Sequence, residues 1–114
     1  MKYTIDTANK SLGRTASEAA LALMGKKTAD YKRNAVAPVE VHITNASKVR
    51  ISPKKLTDKL FRHHTGYRGS LKEVPMGRFI EEKGFKELFR KTVYGMLPTN
   101  KLRAQMIKNL HITE

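Results

Sequence analysis

The densest chemistry in the sequence lies in one run, Arg62-His63-His64-Thr65-Gly66-Tyr67-Arg68-Gly69-Ser70. Two guanidinium groups in it can each fork onto phosphate oxygens. Gly66 and Gly69 carry no Cβ, so the backbone there can approach a ligand closely and take positive φ. Tyr67, His63 and His64 can stack on unpaired bases or donate to phosphates. The flanks extend the pattern: between Lys54 and Lys72 stand six cations, Lys54, Lys55, Lys59, Arg62, Arg68 and Lys72, against one acid, Asp58. Any one of these side chains is ordinary on a solvated face. Their coincidence with glycine and aromatic rings points to RNA contact.

Other chemistry finds little support. The chain has no cysteine, which excludes disulfides, thiolate metal sites and a cysteine nucleophile. His63 and His64 are adjacent, so in a strand they point to opposite faces. His42 and His111 are distant in sequence, and no HExxH pattern occurs. The expectation is therefore no metal and no cofactor, with His42 a surface or half-buried packing residue. Gly25-Lys26-Lys27-Thr28 looks like the tail of a phosphate loop, but Ala20 and Lys27 stand where that loop needs a glycine and a hydroxyl. No GxSxG occurs, and no carboxylate pair has a setting for acid–base work. An enzyme with a small-molecule substrate is not expected.

Charge agrees with the central run. The 114 residues include 23 Lys and Arg against 10 Asp and Glu, a formal net charge of +13. Such a surplus repels itself in a compact fold and is relieved by a polyanion. Nucleic acid is the commonest partner of that kind, with an anionic membrane surface second. The longest apolar run, Ala19-Ala20-Leu21-Ala22-Leu23-Met24, is far short of the ~20 residues that span a bilayer, and Met1-Lys2-Tyr3-Thr4-Ile5-Asp6 lacks a signal peptide's apolar core. No membrane partner is expected, and the cytoplasm is the expected compartment.

The elements that must position these groups fit one domain, residues 1–114, since no linker or repeat divides the chain. Tyr3 and Ile5 alternate with Thr4 and Asp6, a short first strand. Ser11 caps a helix whose Leu12, Ala16, Ala20, Leu23 and Met24 share a face and which Gly25 ends. Val39, Val41 and Ile43 predict a second strand entered at Pro38, with Val49 and Ile51 extended beyond the turn at Asn45. Ser52-Pro53 starts another short element. The segment from Phe61 to Lys72 reads as a strand end followed by a long loop. Phe85, Leu88, Phe89, Val93 and Met96 give a helix that Pro98 halts, and Leu102, Met106 and Leu110 give a final helix capped at Asn100. Strands interleaved with helices predict an α/β domain with a small sheet.

Four segments together carry a family resemblance. Ser11-Leu12-Gly13-Arg14-Thr15-Ala16-Ser17-Glu18 resembles the start of the first helix in the large ribosomal subunit protein 13 family. Asn45-Ala46-Ser47-Lys48-Val49-Arg50 resembles its strand-to-turn segment. Lys55-Leu56-Thr57-Asp58-Lys59-Leu60-Phe61 with Arg62-His63-His64-Thr65-Gly66-Tyr67 is similar to its central signature. Gly95-Met96-Leu97-Pro98, followed by Asn100-Lys101-Leu102, is similar to its turn near the end. The match spans nearly the whole chain in the family's order, as a compact bacterial-type version shorter at both ends than many members.

The resemblance implies a three-layer α/β/α domain with a small, mostly parallel sheet. It implies a structural constituent of the large subunit, a ribonucleoprotein component of translation in the cytoplasm, without catalysis. The implied partners are large-subunit (23S-type) ribosomal RNA and neighbouring large-subunit proteins, with a part in early subunit assembly. RNA contact carries over to Lys10, Arg14, Lys55, Lys59, Arg62, His63, His64, Tyr67, Arg68, Lys72, Lys101 and Arg103, as phosphate neutralisation and shape reading. The chain departs from the family in three places. Asn34-Ala35-Val36-Ala37-Pro38 stands for an Asp-Thr-Gly-Asp-like turn, Gly69-Ser70 for Gly-Gly, and Leu102-Arg103-Ala104 for Leu-Gly-Arg. The competing expectation is another basic module, a DNA-associated protein or RNA chaperone, which composition alone does not separate. Co-sedimentation with large subunits does.

Overall fold

The computed structural model describes residues 2–29, 31–69 and 71–114; Ser70 of the central run lies outside them. The chain opens with a strand–helix–strand unit. Strand β1 (Lys2–Asp6) leads into helix α1 (Leu12–Met24), and β2 (Glu40–Thr44) returns parallel to β1. Ser11 starts α1 as expected: its backbone is extended and its hydroxyl accepts the N–H of Arg14 at 3.4 Å. Gly25 ends α1 at φ +81°, where its N–H and that of Lys26 reach back to the carbonyls of Ala22 and Leu21.

A bracket of hydrogen bonds ties the ends of β1 and β2. The buried Thr7 hydroxyl donates to the carbonyls of Thr44 at 2.9 Å and Asn45 at 2.8 Å. Asn45 sits at φ +57°, and its amide donates to the Asp6 carboxylate at 2.9 Å. Asp6 also accepts the N–H of Ala8 at 3.0 Å. Short helix α2 (Pro53–Asp58) follows, capped by Ser52. Next come β3 (Leu60–His63) and β4 (Lys72–Pro75), the long α3 (Met76–Met96), the single turn α4 (Arg103–Met106), and β5 (Leu110–Ile112).

The fold is mixed α/β with a small, mostly parallel sheet. Strands β1, β2 and β5 form it in the order β1-β2-β5, all parallel, and β3 pairs antiparallel with β4 as a separate hairpin. Alternation sorts the side chains of the parallel sheet. Ile5, Val41, Ile43, Leu110 and Ile112 are buried, and they cluster with Leu12, Ala16, Ala19, Ala20 and Leu23 of α1 and Leu88, Phe89 and Val93 of α3. The alanine row on α1 presents little bulk, which lets α3 lie close against it. Thr4, Glu40 and His111 on the other face are exposed, and His42 is half-buried.

Two sequence expectations need correction, and one needs completing. The segment from Phe61 is a strand end followed by a long loop, as expected, but Lys72–Pro75 pairs back on β3, so the loop is the tip of a hairpin. The final helix is one turn, followed by a 3-10 turn (Ile107–Asn109), and Leu110 belongs to β5. A spacing of four from Met106 to Leu110 imitates a helix, while the period-two signal of Leu110-His111-Ile112 is only three residues long. Met96, expected on the buried face, is 39% exposed at the last turn of α3. That helix also begins well before Phe85, and Gly84 at φ +83° kinks it.

Candidate nucleic-acid interface

The structure gathers part of the predicted set into a groove beside the N-terminus of α1. It is lined by Ser11, Arg14, Ser17, Arg50, Lys55 and Met96 among others, with a volume of about 770 Å³. Three elements supply its cations. Arg14 projects from the first turn of α1, where the Ser11 cap fixes the backbone. Lys55 comes from α2, where Ser52 plays the same part by accepting the N–H of Lys55 at 3.3 Å. Arg50 comes from the stretch after β2, laid beside the turn before α1: the Arg50 N–H donates to the Lys10 carbonyl at 2.9 Å, and the Asn9 N–H to the Lys48 carbonyl at 3.0 Å. Lys10, Arg14 and Arg50 meet again in an adjoining depression that also holds Glu18. All four cations are exposed.

Sequence reasoning missed Arg50 as a site residue. Its segment, Asn45 to Arg50, was visible as a motif, but the fold alone sets it against Lys10 and Ser11.

The hairpin holds the second group. Arg62 and His63 lie on β3, Lys72 on β4, and His64, Tyr67 and Arg68 in the tip between them; all are exposed, Tyr67 at 79%. Gly66 at φ +94° and Gly69 at φ +76° use the freedom the sequence suggested. The His64 ring Nδ1 accepts the Gly66 N–H at 3.0 Å, which folds the tip on itself. Arg62 faces Glu73 across the hairpin, with its Nε 3.4 Å from the carboxylate. That acid lies one residue outside the window that counted only Asp58, so Arg62 is partly neutralised while Arg68 is not engaged by any carboxylate among the described residues. The base of the hairpin is anchored by Phe61, tilted against Phe79 of α3 with ring centroids 4.8 Å apart. Lys59, between α2 and β3, is exposed and links groove and hairpin in the chain.

Lys101 and Arg103 stand apart, after α3 ends. Lys101 is exposed. Arg103 is half-buried, with its guanidinium 4.0 Å from the centre of the Tyr94 ring, a cation–π contact that holds the α3–α4 turn. A further depression nearby adds Lys26, Lys32 and Arg33, with Met96, Pro98 and Asn100 on its other side. Met96 thus borders both this depression and the main groove. No helix among the described residues is long and apolar enough to cross a membrane.

Fold and surface together define a small, basic α/β domain whose cations converge on grooves and a hairpin instead of on a catalytic centre. A family model described as Ribosomal protein L13 matches residues 1–114. The large ribosomal subunit protein uL13 of Geobacter sulfurreducens is 43% identical over 110 residues, which cover 96% of this chain and 76% of that one. The proteins of the same name from Clostridioides difficile and Alkalilimnicola ehrlichii are 39% and 36% identical, again over 96% of this chain, and over 76% and 77% of their own lengths. The chain belongs to the ribosomal protein L13 family, a family of ribosome components and not of enzymes.

Proposed function

We propose that the chain is a structural constituent of the large ribosomal subunit in the cytoplasm. In this reading it binds large-subunit, 23S-type ribosomal RNA, touches neighbouring large-subunit proteins, and supports early subunit assembly. The observation that carries the reading is the family match over the whole chain, joined to a surface that answers a polyanion. Arg14, Arg50 and Lys55 from three elements line one groove, and the exposed hairpin tip offers Arg68 and Tyr67. Arginine suits this role because its planar fork matches two phosphate oxygens at once. The groove neutralises backbone phosphate, while Tyr67 and the histidines stack on unpaired bases.

The test is RNA binding by the full chain and by Arg62→Ala combined with Arg68→Ala, measured across salt concentrations. Charge-assisted hydrogen bonds contribute roughly 1.5–3 kcal/mol each, so losing even one of the two weakens binding by about tenfold or more while circular dichroism stays unchanged. Because Arg62 already faces Glu73, most of that loss should come from Arg68. With ~6–10 phosphate contacts, affinity for duplex DNA drops about 10³–10⁵-fold between roughly 50 and 200 mM salt. RNA should follow with a smaller slope. Equal binding by mutant and parent moves the contact off the hairpin, and salt-independent affinity removes the phosphate reading altogether.

A further inference from the structure

The polar face of the parallel sheet carries a cluster that the RNA reading does not use. The register sets His42 of β2 directly opposite His111 of β5. Val41, Ile43, Leu110 and Ile112 on either side are buried, so alternation turns both imidazoles to the opposite, solvent face. Their rings stack with centroids 4.8 Å apart and planes 21° apart. Glu40 lies two residues before His42 on the same face, and its Oε2 is 3.5 Å from the His42 Nε2. One ligand atom from each of the three, a carboxylate oxygen and two ring nitrogens, lies within 4.8 Å of the others.

We propose that Glu40, His42 and His111 form a three-ligand site for a borderline divalent transition metal such as zinc, with water completing the coordination. Two imidazoles and a carboxylate suit zinc, copper or nickel, whereas calcium and magnesium prefer sites made of oxygen alone. Tetrahedral zinc with bonds of ~2.0–2.2 Å needs its ligand atoms roughly 3.3 Å apart. Side-chain rotation of about an ångström or somewhat more closes the present spacing, and no strand has to move. The donors stand on paired strands, so the backbone part of the geometry is already fixed. They are also uncommitted: the 3.5 Å contact is a weak hydrogen bond, and His111 makes no hydrogen bond or ion pair among the described residues. Lys2 is the register neighbour of Glu40 but forms no ion pair with it. The separation of His42 and His111 in the chain hid the cluster from sequence reasoning, which expected no metal. Parallel pairing of β2 with β5 is what joins them.

The experiment uses the full chain, treated with chelator, desalted, and titrated with Zn²⁺ by calorimetry. Saturable binding of one ion per chain is expected. His42→Gln, His111→Gln and Glu40→Gln should each weaken it by at least the roughly 10–100-fold that loss of an outer-sphere partner costs at a metal site. His63→Gln combined with His64→Gln removes the other two histidines and should leave it unchanged. In the parent chain, substoichiometric Ni²⁺ should broaden the ring-proton resonances of His42 and His111 before those of His63 and His64. That measurement decides the matter even if a substitution disturbs the fold. Absence of one-to-one binding, binding lost with His63 and His64 but kept without His111, or broadening of the hairpin pair first each overturns the site. None of these outcomes touches RNA binding, which is measured separately.

Discussion

Replacing Gly25 by alanine separates two costs at the turn that ends α1. Gly25 sits at φ +81°, and an added Cβ would stand 2.8 Å from the Cβ of Ala37. The left-handed conformation costs a residue with a Cβ about 1–2 kcal/mol. The overlap adds about 1–3 kcal/mol, the usual cost of overpacking, because the obstacle is a short side chain fixed to its backbone. A gain of roughly 0.4–1 kcal/mol from stiffening the unfolded chain offsets part of this. The net loss should be about 2–4 kcal/mol, and at about 4 °C per kcal/mol the melting temperature should fall by about 8–16 °C. Ala37→Gly removes the obstacle and leaves the dihedral. In that background, with the same unfolded-state gain subtracted, Gly25→Ala should cost at most about 1.5 kcal/mol. Urea unfolding of parent, both single variants and the double gives the coupling directly. A coupling below about 0.5 kcal/mol means the two positions behave independently and refutes the steric argument. No loss in either background would refute the conformational one as well.

Leu97→Ala should lower unfolding free energy by about 2–5 kcal/mol in urea, since Leu97 is 3% exposed and caps α3 inside the core; a loss near zero would show that the site is not packed. Gly95→Val should behave in the opposite way. Beyond its chain neighbours and the adjoining helix backbone, no heavy atom among the described residues lies within 4 Å of the added Cβ, so stability should change by less than about 1 kcal/mol while occupancy in purified large subunits falls; normal occupancy would show that nothing approaches this helix turn. Asp6 has its carboxyl pKa lowered, first by the Asn45 amide and then by the Ala8 N–H, partly opposed by desolvation, with Lys10 and Lys48 adding less. A folded value below the unfolded one stabilises at pH above the ordinary carboxyl range, and that part is lost as pH falls through the lowered value. Asp6→Ala should therefore flatten the acid limb of the stability curve, and identical limbs in parent and variant would show that the bracket at Asn45 carries no charge dependence.

Local signals made much of the fold legible. Ser11, Ser52, Gly25 and Pro98 mark element ends because each acts through its own backbone or its nearest neighbours, and the structure places the ends where they predict. The apolar stripe on α1 was readable because the helix meets the sheet along one face. The β3–β4 hairpin was not, because cations and histidines at Arg62, His63 and Lys72 hide the alternation and, of the two strands, Phe61 alone packs against the core cluster. β5 failed for length, with three residues and a misleading spacing of four from Met106. Among site residues, the hairpin tip was legible as composition. The groove was not, since Arg14, Arg50 and Lys55 are neighbours only after β2 and its following turn lie beside the start of α1.

The strand order β1-β2-β5 also sets a timetable for the emerging polypeptide. β1, α1 and β2 are complete once Thr44 has been made, and they can assemble among themselves. The partner for the other side of β2 arrives only with Leu110, and at ~5–20 residues per second that delay is roughly 3–13 s. During this interval the N–H and C=O groups on the side of β2 away from β1 have no neighbouring strand, and the apolar side of β2 lacks the cover of Leu88, Phe89 and Val93. A bare parallel edge is a template for pairing with another chain. Positive charge, which builds up as the chain lengthens toward the +13 of the finished protein, would also help to keep such half-made copies apart.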